Sequence, residues 1–194
     1  MAAPLYGLIL SGGKSTRMGN DKGLLNYHGK PQREYLYELA ASYCNDVYYS
    51  SREDQLSSFS EKAKVIVDNN KYRGPFNGIF SAHQRHPKVA WLVLACDLPL
   101  LDKVGISELI NNRNKNKIAT CISSKGSGLP EPLIAIWEPA ALVAAQNYFE
   151  TVQSSCPRKF LINSDIELVE PSSDDQLYNA NSKEDYQWVK GKLA

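Results

Sequence analysis

The chain has 194 residues with 22 Lys or Arg and 21 Asp or Glu, a formal net charge of +1, which gives no reason to expect a nucleic acid or a membrane surface as a partner. Its length suits one hydrophobic core, so we expect residues 1–194 to form a single domain. The four cysteines form no CxxC pair, and no apolar run has the length of a membrane span or the form of a signal peptide, so we expect a cytoplasmic protein with reduced thiols.

Apolar runs typical of strands alternate along the chain with segments of helical periodicity. The strand candidates are 5–10, 46–50, 64–67, 89–95, 118–123, 133–137 and 167–169, and the helix candidates are 32–42, 54–62, 78–84, 104–111, 139–149, 158–161 and 183–192. The run 89–95 (VAWLVLA) is the most apolar of them and is expected to be a central strand. This alternation predicts a three-layer, Rossmann-like α/β fold in which a mostly parallel sheet carries helices on both faces.

A glycine-rich basic loop follows the first strand candidate, within the stretch LILSGGKSTRMGNDKGLL (8–25). Glycines at the mouth of a strand let backbone N–H groups approach an anion, and cations in the same loop add matching charge. The residues of these two kinds are Gly12, Gly13, Lys14, Arg17 and Lys22. The loop therefore predicts a polyphosphate site, the alternative being a flexible basic loop without a ligand.

Two well-known phosphate motifs are absent. Gly13-Lys14-Ser15 has the form of the end of a P-loop, but Leu8 stands where that motif requires its first glycine. No G-x-G-x-x-G sequence occurs, so a dinucleotide-binding fingerprint is excluded as well.

The pattern L-S-G-G-x-S-x-R-M-G-x-D-K resembles the signature loop of the molybdenum cofactor guanylyltransferases, a family of nucleotidyltransferases with a fold similar to that of the nucleotide-diphospho-sugar transferases. Arg17, Met18, Gly19, Asp21 and Lys22 all fall in step with the family pattern, whereas Ser11 stands where the family usually has Ala. The resemblance implies that GTP is the nucleotide and that Lys22 and Arg17 are catalytic.

Asp97 ends the strand candidate 89–95, at the edge where ligands of open parallel sheets gather. A carboxylate there can also simply cap the next turn, before Pro99. A triphosphate needs Mg²⁺, which one or two carboxylates and phosphate oxygens usually hold. In the resembled family the D-x-P after this strand holds Mg²⁺, which implies that role for Asp97.

Two further stretches match the family on the nucleotide side. Asp68 followed by Gly74-Pro75-x-x-Gly78 resembles the segment that lines the base and ribose, and its relatives that use cytidine depart from this pattern, so the match favours guanine. Ser51 stands where the family often has an Asn that helps to hold the base, a departure that affects one base contact. The implied nucleotide-binding residues are thus Leu10, Ser11, Gly12, Gly13, Lys14, Lys22, Ser51, Asp68, Gly74, Pro75, Gly78 and Asp97.

On the acceptor side, Asn179-Ala180-Asn181 resembles the N-x-N that precedes the family's last helix. Two amides one residue apart on an extended segment point the same way and could orient a second ligand. The alternative is that Asn181 or Ser182 caps the helix that follows.

The resemblance implies transfer of GMP from GTP to the terminal phosphate of molybdopterin, giving molybdopterin guanine dinucleotide and pyrophosphate with Mg²⁺ as cofactor. The implied partners are GTP and molybdopterin or molybdenum-molybdopterin. A protein that donates the cofactor is a further possible partner. Two alternatives stay open. One is a nucleotidyltransferase for another base or acceptor, such as cytidylyl transfer or a sugar 1-phosphate. The other is a non-catalytic nucleotide-binding module, against which the presence of both Lys22 and Asp97 argues.

Overall fold

The computed structural model describes residues 3–13, 21–123, 126–152 and 156–194. Within these ranges, seven strands form one sheet in the order β3-β2-β1-β4-β6-β5-β7. The strands are β1 (Leu5–Leu10), β2 (Asp46–Ser51), β3 (Val65–Val67), β4 (Ala90–Ala95), β5 (Ala119–Ser123), β6 (Pro130–Trp137) and β7 (Ile166–Val169). The α-helices are α1 (Gln32–Ala41), α2 (Pro75–Arg85), α3 (Lys103–Asn111), α4 (Pro139–Val152), α5 (Pro157–Ile162) and α6 (Lys183–Leu193), and shorter 3₁₀ helices span Lys22–Leu24, Glu53–Ser58 and Asp174–Leu177.

The sheet is mostly parallel, as the alternation of elements predicts. β1 pairs in parallel with β2 and β4, β2 with β3, and β5 with β7. β6 is inserted between β4 and β5 and is antiparallel to both. The carboxyl ends of β1, β2 and β4 therefore lie together at one edge of the sheet, where a ligand site is expected.

Side chains of β1 and β4 alternate between the two faces of the sheet. Ile9 and Leu94 belong to an apolar cluster with Leu36 of α1, whereas Leu8 and Val93 belong to a second cluster with helices α2, α4 and α5. All six residues of β4 are buried, which explains why the strand is a continuous apolar run in the sequence. Helices thus cover both faces, as predicted.

Three segments differ from the sequence prediction. The prediction of a helix over 54–62 is wrong, because only the 3₁₀ helix Glu53–Ser58 forms. The Ser58 hydroxyl donates to the backbone carbonyl oxygen of Gln55 at 2.7 Å, a local hydrogen bond of the kind that competes with an α-helix. Helix α2 begins earlier, at Pro75, which suits the first helical turn. β6 also begins earlier, and its register with β5 shifts so that Glu131 faces Ile122. None of the helices in the described ranges combines the length and apolarity needed to cross a bilayer.

Candidate active site

A cavity of about 400 Å³ opens at the carboxyl ends of β1, β2 and β4 and beside the start of α2. Its volume is in the range of small-molecule sites. Most of the predicted nucleotide-binding residues line it, namely Leu10, Ser11, Gly12, Gly13, Lys22, Asp68, Gly74, Pro75, Gly78 and Asp97. Residues far apart in the sequence therefore meet in one concave surface. The predicted Lys14 and Arg17 lie outside the described residues, so their roles stay predictions.

Gly12 and Gly13 form the edge of the cavity directly after β1. A Cβ atom on Gly12 would lie 2.7 Å from Asp68 Oδ2, so a side chain at this position would collide with the carboxylate. A Cβ on Gly13 would meet no heavy atom within 4 Å, so the backbone there faces open space. The Gly12 carbonyl oxygen accepts a 2.6 Å hydrogen bond from Arg52 Nη1, which ties this backbone to the segment after β2.

Lys22 and Asp97 form an ion pair in the wall of the cavity. Lys22 Nζ lies 3.7 Å from Asp97 Oδ2, and the two side chains are 23% and 25% exposed. Lys22 Nζ also donates a hydrogen bond to Asn181 Oδ1. The Ala180 N–H donates to the Asp97 carbonyl oxygen at 2.9 Å, so the segment before α6 contacts both residues of the pair.

The Asp97 carboxylate fits the role of a cation ligand. Its Oδ1 atom is buried and has no hydrogen-bond partner among the described residues. Burial raises the pKa of Asp97, and the nearby Lys22 ammonium works in the opposite direction. No group of three or more His, Cys, Asp or Glu suited to hold a metal occurs in the part of the chain that the structure describes. A divalent cation here would therefore need ligands from a bound substrate, which is the common arrangement for Mg²⁺ with phosphates.

The other end of the cavity is built on Ser50 and Asp68. Burial raises the pKa of Asp68. The Ser50 hydroxyl donates to Asp68 Oδ1 at 2.7 Å, and this hydrogen bond offsets part of the rise. Helix α2 approaches so closely that a Cβ on Gly78 would lie 2.1 Å from Ser50 Oγ. Gly74 has φ +64°, in the left-handed region that favours glycine, and it begins the turn into α2.

A family model for the MobA-like NTP transferase domain matches residues 7–165, which include the loop, Asp68, the Gly-Pro turn and Asp97. The chain belongs to this family. It is accordingly a nucleotidyltransferase whose relatives act in the biosynthesis of the molybdenum cofactor.

The relatives of this MobA-like NTP transferase agree with the family model. This chain is 40% identical, over 94% of its length, to a molybdenum cofactor biosynthesis bifunctional protein of Synechocystis sp.. It spans 53% of the length of that protein. It is 30% identical to a molybdenum cofactor guanylyltransferase of Pseudomonas fluorescens, over 92% of this chain and 90% of that protein. Among solved structures, molybdopterin-guanine dinucleotide biosynthesis protein A of Archaeoglobus fulgidus has a TM-score of 0.78 at 20% identity, covering 96% of this chain and 97% of that one. This last similarity shows the fold.

Three predicted residues of this MobA-like transferase do not line the cavity, namely Ser51, Asn179 and Asn181. Ser51 is fully buried, and its hydroxyl lies 3.2 Å from the Arg52 carbonyl oxygen, to which it donates, and 3.3 Å from Gln55 Oε1. Asn179 is exposed and its amide donates to the Leu177 carbonyl oxygen at 3.2 Å, whereas Asn181 reaches Lys22. Ser182 is the N-cap of α6, so capping and the Lys22 contact belong to neighbouring residues.

Several residues that line the cavity were not among the site residues predicted from the sequence. They are Asp21, Gly23, Ser50, Arg52, Asn70, Tyr72, Asn77, Ala95, Cys96 and Leu133. Ser50 and Arg52 follow the rule that strand carboxyl ends supply ligand contacts, so their position at the end of β2 was a usable signal. Asn70 has φ +58°, a backbone conformation that asparagine tolerates better than most residues, and this turn chemistry was the available signal for the segment before α2.

Proposed function

We propose that this MobA-like transferase moves GMP from GTP to the terminal phosphate of molybdopterin, forming molybdopterin guanine dinucleotide and pyrophosphate. The observation that carries the proposal is the Lys22–Asp97 pair, with 3.7 Å between Nζ and Oδ2, beside the glycine backbone at the mouth of β1. A site that only binds a nucleotide does not require a cation and a partly buried carboxylate at the same point. The names of the relatives support the molybdenum cofactor as the acceptor.

In this reaction a phosphate oxygen of the acceptor forms a bond to the α-phosphorus of GTP. The bond from that phosphorus to the bridging oxygen breaks, and its electron pair leaves with pyrophosphate. The chain's contribution is to align two anions and to stabilise charge as it moves toward the leaving group. Backbone N–H groups of Gly12 and Gly13 bind the β- and γ-phosphates, and Lys22 contacts the α-phosphate. Arg17 adds positive charge in the same loop.

Asp97 is the residue that would hold Mg²⁺, because its buried Oδ1 has no partner among the residues described. When bound, Mg²⁺ neutralises charge on the phosphate oxygens and orients them. Lys22, whose Nζ lies 3.7 Å from Asp97 Oδ2, would add a second positive charge beside the phosphates.

The base and the acceptor are assigned to opposite ends of the cavity. Asp68, Gly74, Pro75 and Gly78 line the end proposed for the guanosine. Asn181, through its contact with Lys22, stands on the side proposed for molybdopterin or molybdenum-molybdopterin, and Asn179 precedes it on the same segment. A protein that donates molybdopterin would approach from this side.

Calorimetric titration with GTP, CTP, ATP and UTP, each with and without Mg²⁺, tests the nucleotide assignment. We expect selective binding of GTP that depends on Mg²⁺. Preference for CTP would replace guanylyl transfer by cytidylyl transfer, and binding of none would favour a non-catalytic module.

Pyrophosphate release with molybdopterin as acceptor tests the reaction itself. We expect Lys22→Ala to lower kcat by about 100- to 1,000-fold, the usual loss of one preorganised donor. Lys30→Ala is the matched control, because Lys30 forms an ion pair with Glu38 at the surface and does not line the cavity. Parent-like turnover of Lys22→Ala would contradict the mechanism.

A further inference from the structure

The side-chain amide of Gln55 makes four polar contacts near the cavity. Its Nε2 lies 3.2 Å from the Ser11 carbonyl oxygen and 2.6 Å from Asp21 Oδ2. Its Oε1 lies 3.2 Å from the Arg52 backbone nitrogen and 3.3 Å from Ser51 Oγ. The carboxylate of Asp21 only accepts hydrogen bonds, so the amide nitrogen must face it. Both N–H donors of the amide are then used, and its oxygen accepts from the Arg52 backbone N–H.

These contacts join the two ends of the basic loop. Ser11 follows β1, and Asp21 precedes the 3₁₀ helix that contains Lys22. The second oxygen of Asp21 accepts a 2.9 Å hydrogen bond from the Gly23 N–H and caps that helix. Gln55 is therefore connected to Lys22 through one carboxylate and one short helix.

Gln55 does not line the cavity, whereas Asp21 and Lys22 do. Any effect of Gln55 on the reaction must therefore pass through other residues. We propose that Gln55 is a positioning residue that holds Ser11 and Asp21 together and so sets the place of the Lys22 ammonium relative to Asp97. Its catalytic consequence rests on the proposed function, whereas its effect on Lys22 does not.

Gln55→Glu separates this role from helix capping. Gln55 Oε1 also accepts from the Arg52 N–H as part of a capping box, and a glutamate oxygen keeps that bond. The other oxygen would face the Ser11 carbonyl and the Asp21 carboxylate, which cannot donate to it. We expect kcat to fall by about 10- to 100-fold, because small misplacements of catalytic groups have effects of this size. Calorimetry should give a Kd for GTP within about threefold of the parent, since the change acts on the transition state.

The double variant Asp21→Asn with Gln55→Glu reverses the donor and the acceptor. The amide at 21 can donate to the carboxylate at 55 while its oxygen still caps the Gly23 N–H. We expect the double variant to turn over faster than Gln55→Glu alone. Gln146→Glu is the matched control, since it makes the same substitution on α4, where Gln146 contacts Glu150 at 3.4 Å. A double variant slower than Gln55→Glu would overturn the proposal.

A second measurement does not depend on turnover. Acetylation of Lys22 by a small anhydride, followed by mass spectrometry, measures how accessible its amino group is to the reagent. Lys30 in the same molecule is the reference. We expect Gln55→Glu to raise the ratio of Lys22 to Lys30 labelling several-fold, and Gln146→Glu to leave it unchanged. A parent-like ratio in Gln55→Glu overturns the inference whatever the activity. Absence of GTP turnover in the parent refutes the proposed function alone.

Discussion

Gly78→Ala is expected to damage the nucleotide end of the cavity through one added methyl group. The new Cβ would lie 2.1 Å from Ser50 Oγ, 3.1 Å from Ser50 Cβ and 3.0 Å from Leu10 Cδ2. Rotation of the Ser50 hydroxyl can relieve the first contact, but it removes the 2.7 Å hydrogen bond to Asp68 Oδ1. The other two contacts remain tight, so α2 must also move away from β1 and β2.

The magnitude follows from these contacts. Overpacking a well-packed site costs about 1–3 kcal/mol, and loss of a hydrogen bond to a charged group costs about 1.5–3 kcal/mol. The higher helix propensity of alanine returns about 1 kcal/mol. The two costs overlap in part, so we expect a net loss of roughly 2–4 kcal/mol in the free energy of unfolding, or about 5–15 °C in Tm for a domain of this size.

Thermal unfolding and calorimetry with GTP measure the two consequences, a lower Tm and weaker binding. Gly191→Ala in α6 is the control, because a Cβ there meets no heavy atom within 4 Å and should stabilise the helix slightly. Adding Ser50→Ala to Gly78→Ala removes the 2.1 Å contact and should recover part of the lost Tm. If Gly78→Ala unfolds and binds GTP as the parent does, the close approach of α2 to Ser50 is refuted.

Three further predictions concern charged groups. Arg113 donates to Glu138 at 2.7 and 3.0 Å, with both side chains at most 10% exposed. Arg113→Leu should therefore cost about 3–5 kcal/mol in urea unfolding, and the double change to leucine at both positions should cost less. A double variant less stable than Arg113→Leu would contradict this account. The pKa of Asp97 is raised, which means that its ionised form destabilises the folded state. Asp97→Asn should therefore have a higher Tm than the parent at pH 7. The difference in Tm should disappear as the pH falls through 3.8, the ordinary pKa of aspartate. A lower Tm at pH 7 would show that the carboxylate is net stabilising. Hydrogen bonds from Tyr178 and nearby N–H groups lower the pKa of Asp185 from 3.8 to about 2, so its contribution to stability is present above pH 3.8 and is lost as the pH falls through 2. Asp185→Asn should lack that loss in acid unfolding, and an identical acid transition would refute the assignment.

The sequence pattern predicted the strands well because burial on both faces leaves a clear trace. β4 is buried at every position and was identified as a central strand from its apolar residues alone. The direction of a strand within the sheet leaves no such trace in the sequence, so the antiparallel insertion of β6 was not predictable from periodicity. The segment 54–62 has helical spacing, but its side chains bond to the local backbone and to Ser11 instead of supporting an α-helix.

The site was predictable where it depends on strand ends and on the resemblance of the loop. Lys22, Asp68 and Asp97 were predicted in this way, and all three line the cavity. Gln55 was missed because its role comes from Ser11, at a separation of 44 residues, and no local pattern reports such a contact. Ser51 was expected to contact the nucleobase, but its side chain is buried and does not line the cavity. The preceding residue, Ser50, lines the cavity instead, because successive side chains of a strand point in opposite directions.

The bond between Lys22 and Asn181 joins residues 159 positions apart. At ordinary rates of translation the ribosome needs roughly 10–30 s to pass from one to the other. During that interval Lys22 and then Asp97 are synthesised, but the segment that carries Asn181 does not yet exist. Transferase activity that depends on this bond should therefore be silent in growing chains and should begin only after synthesis has passed residue 181.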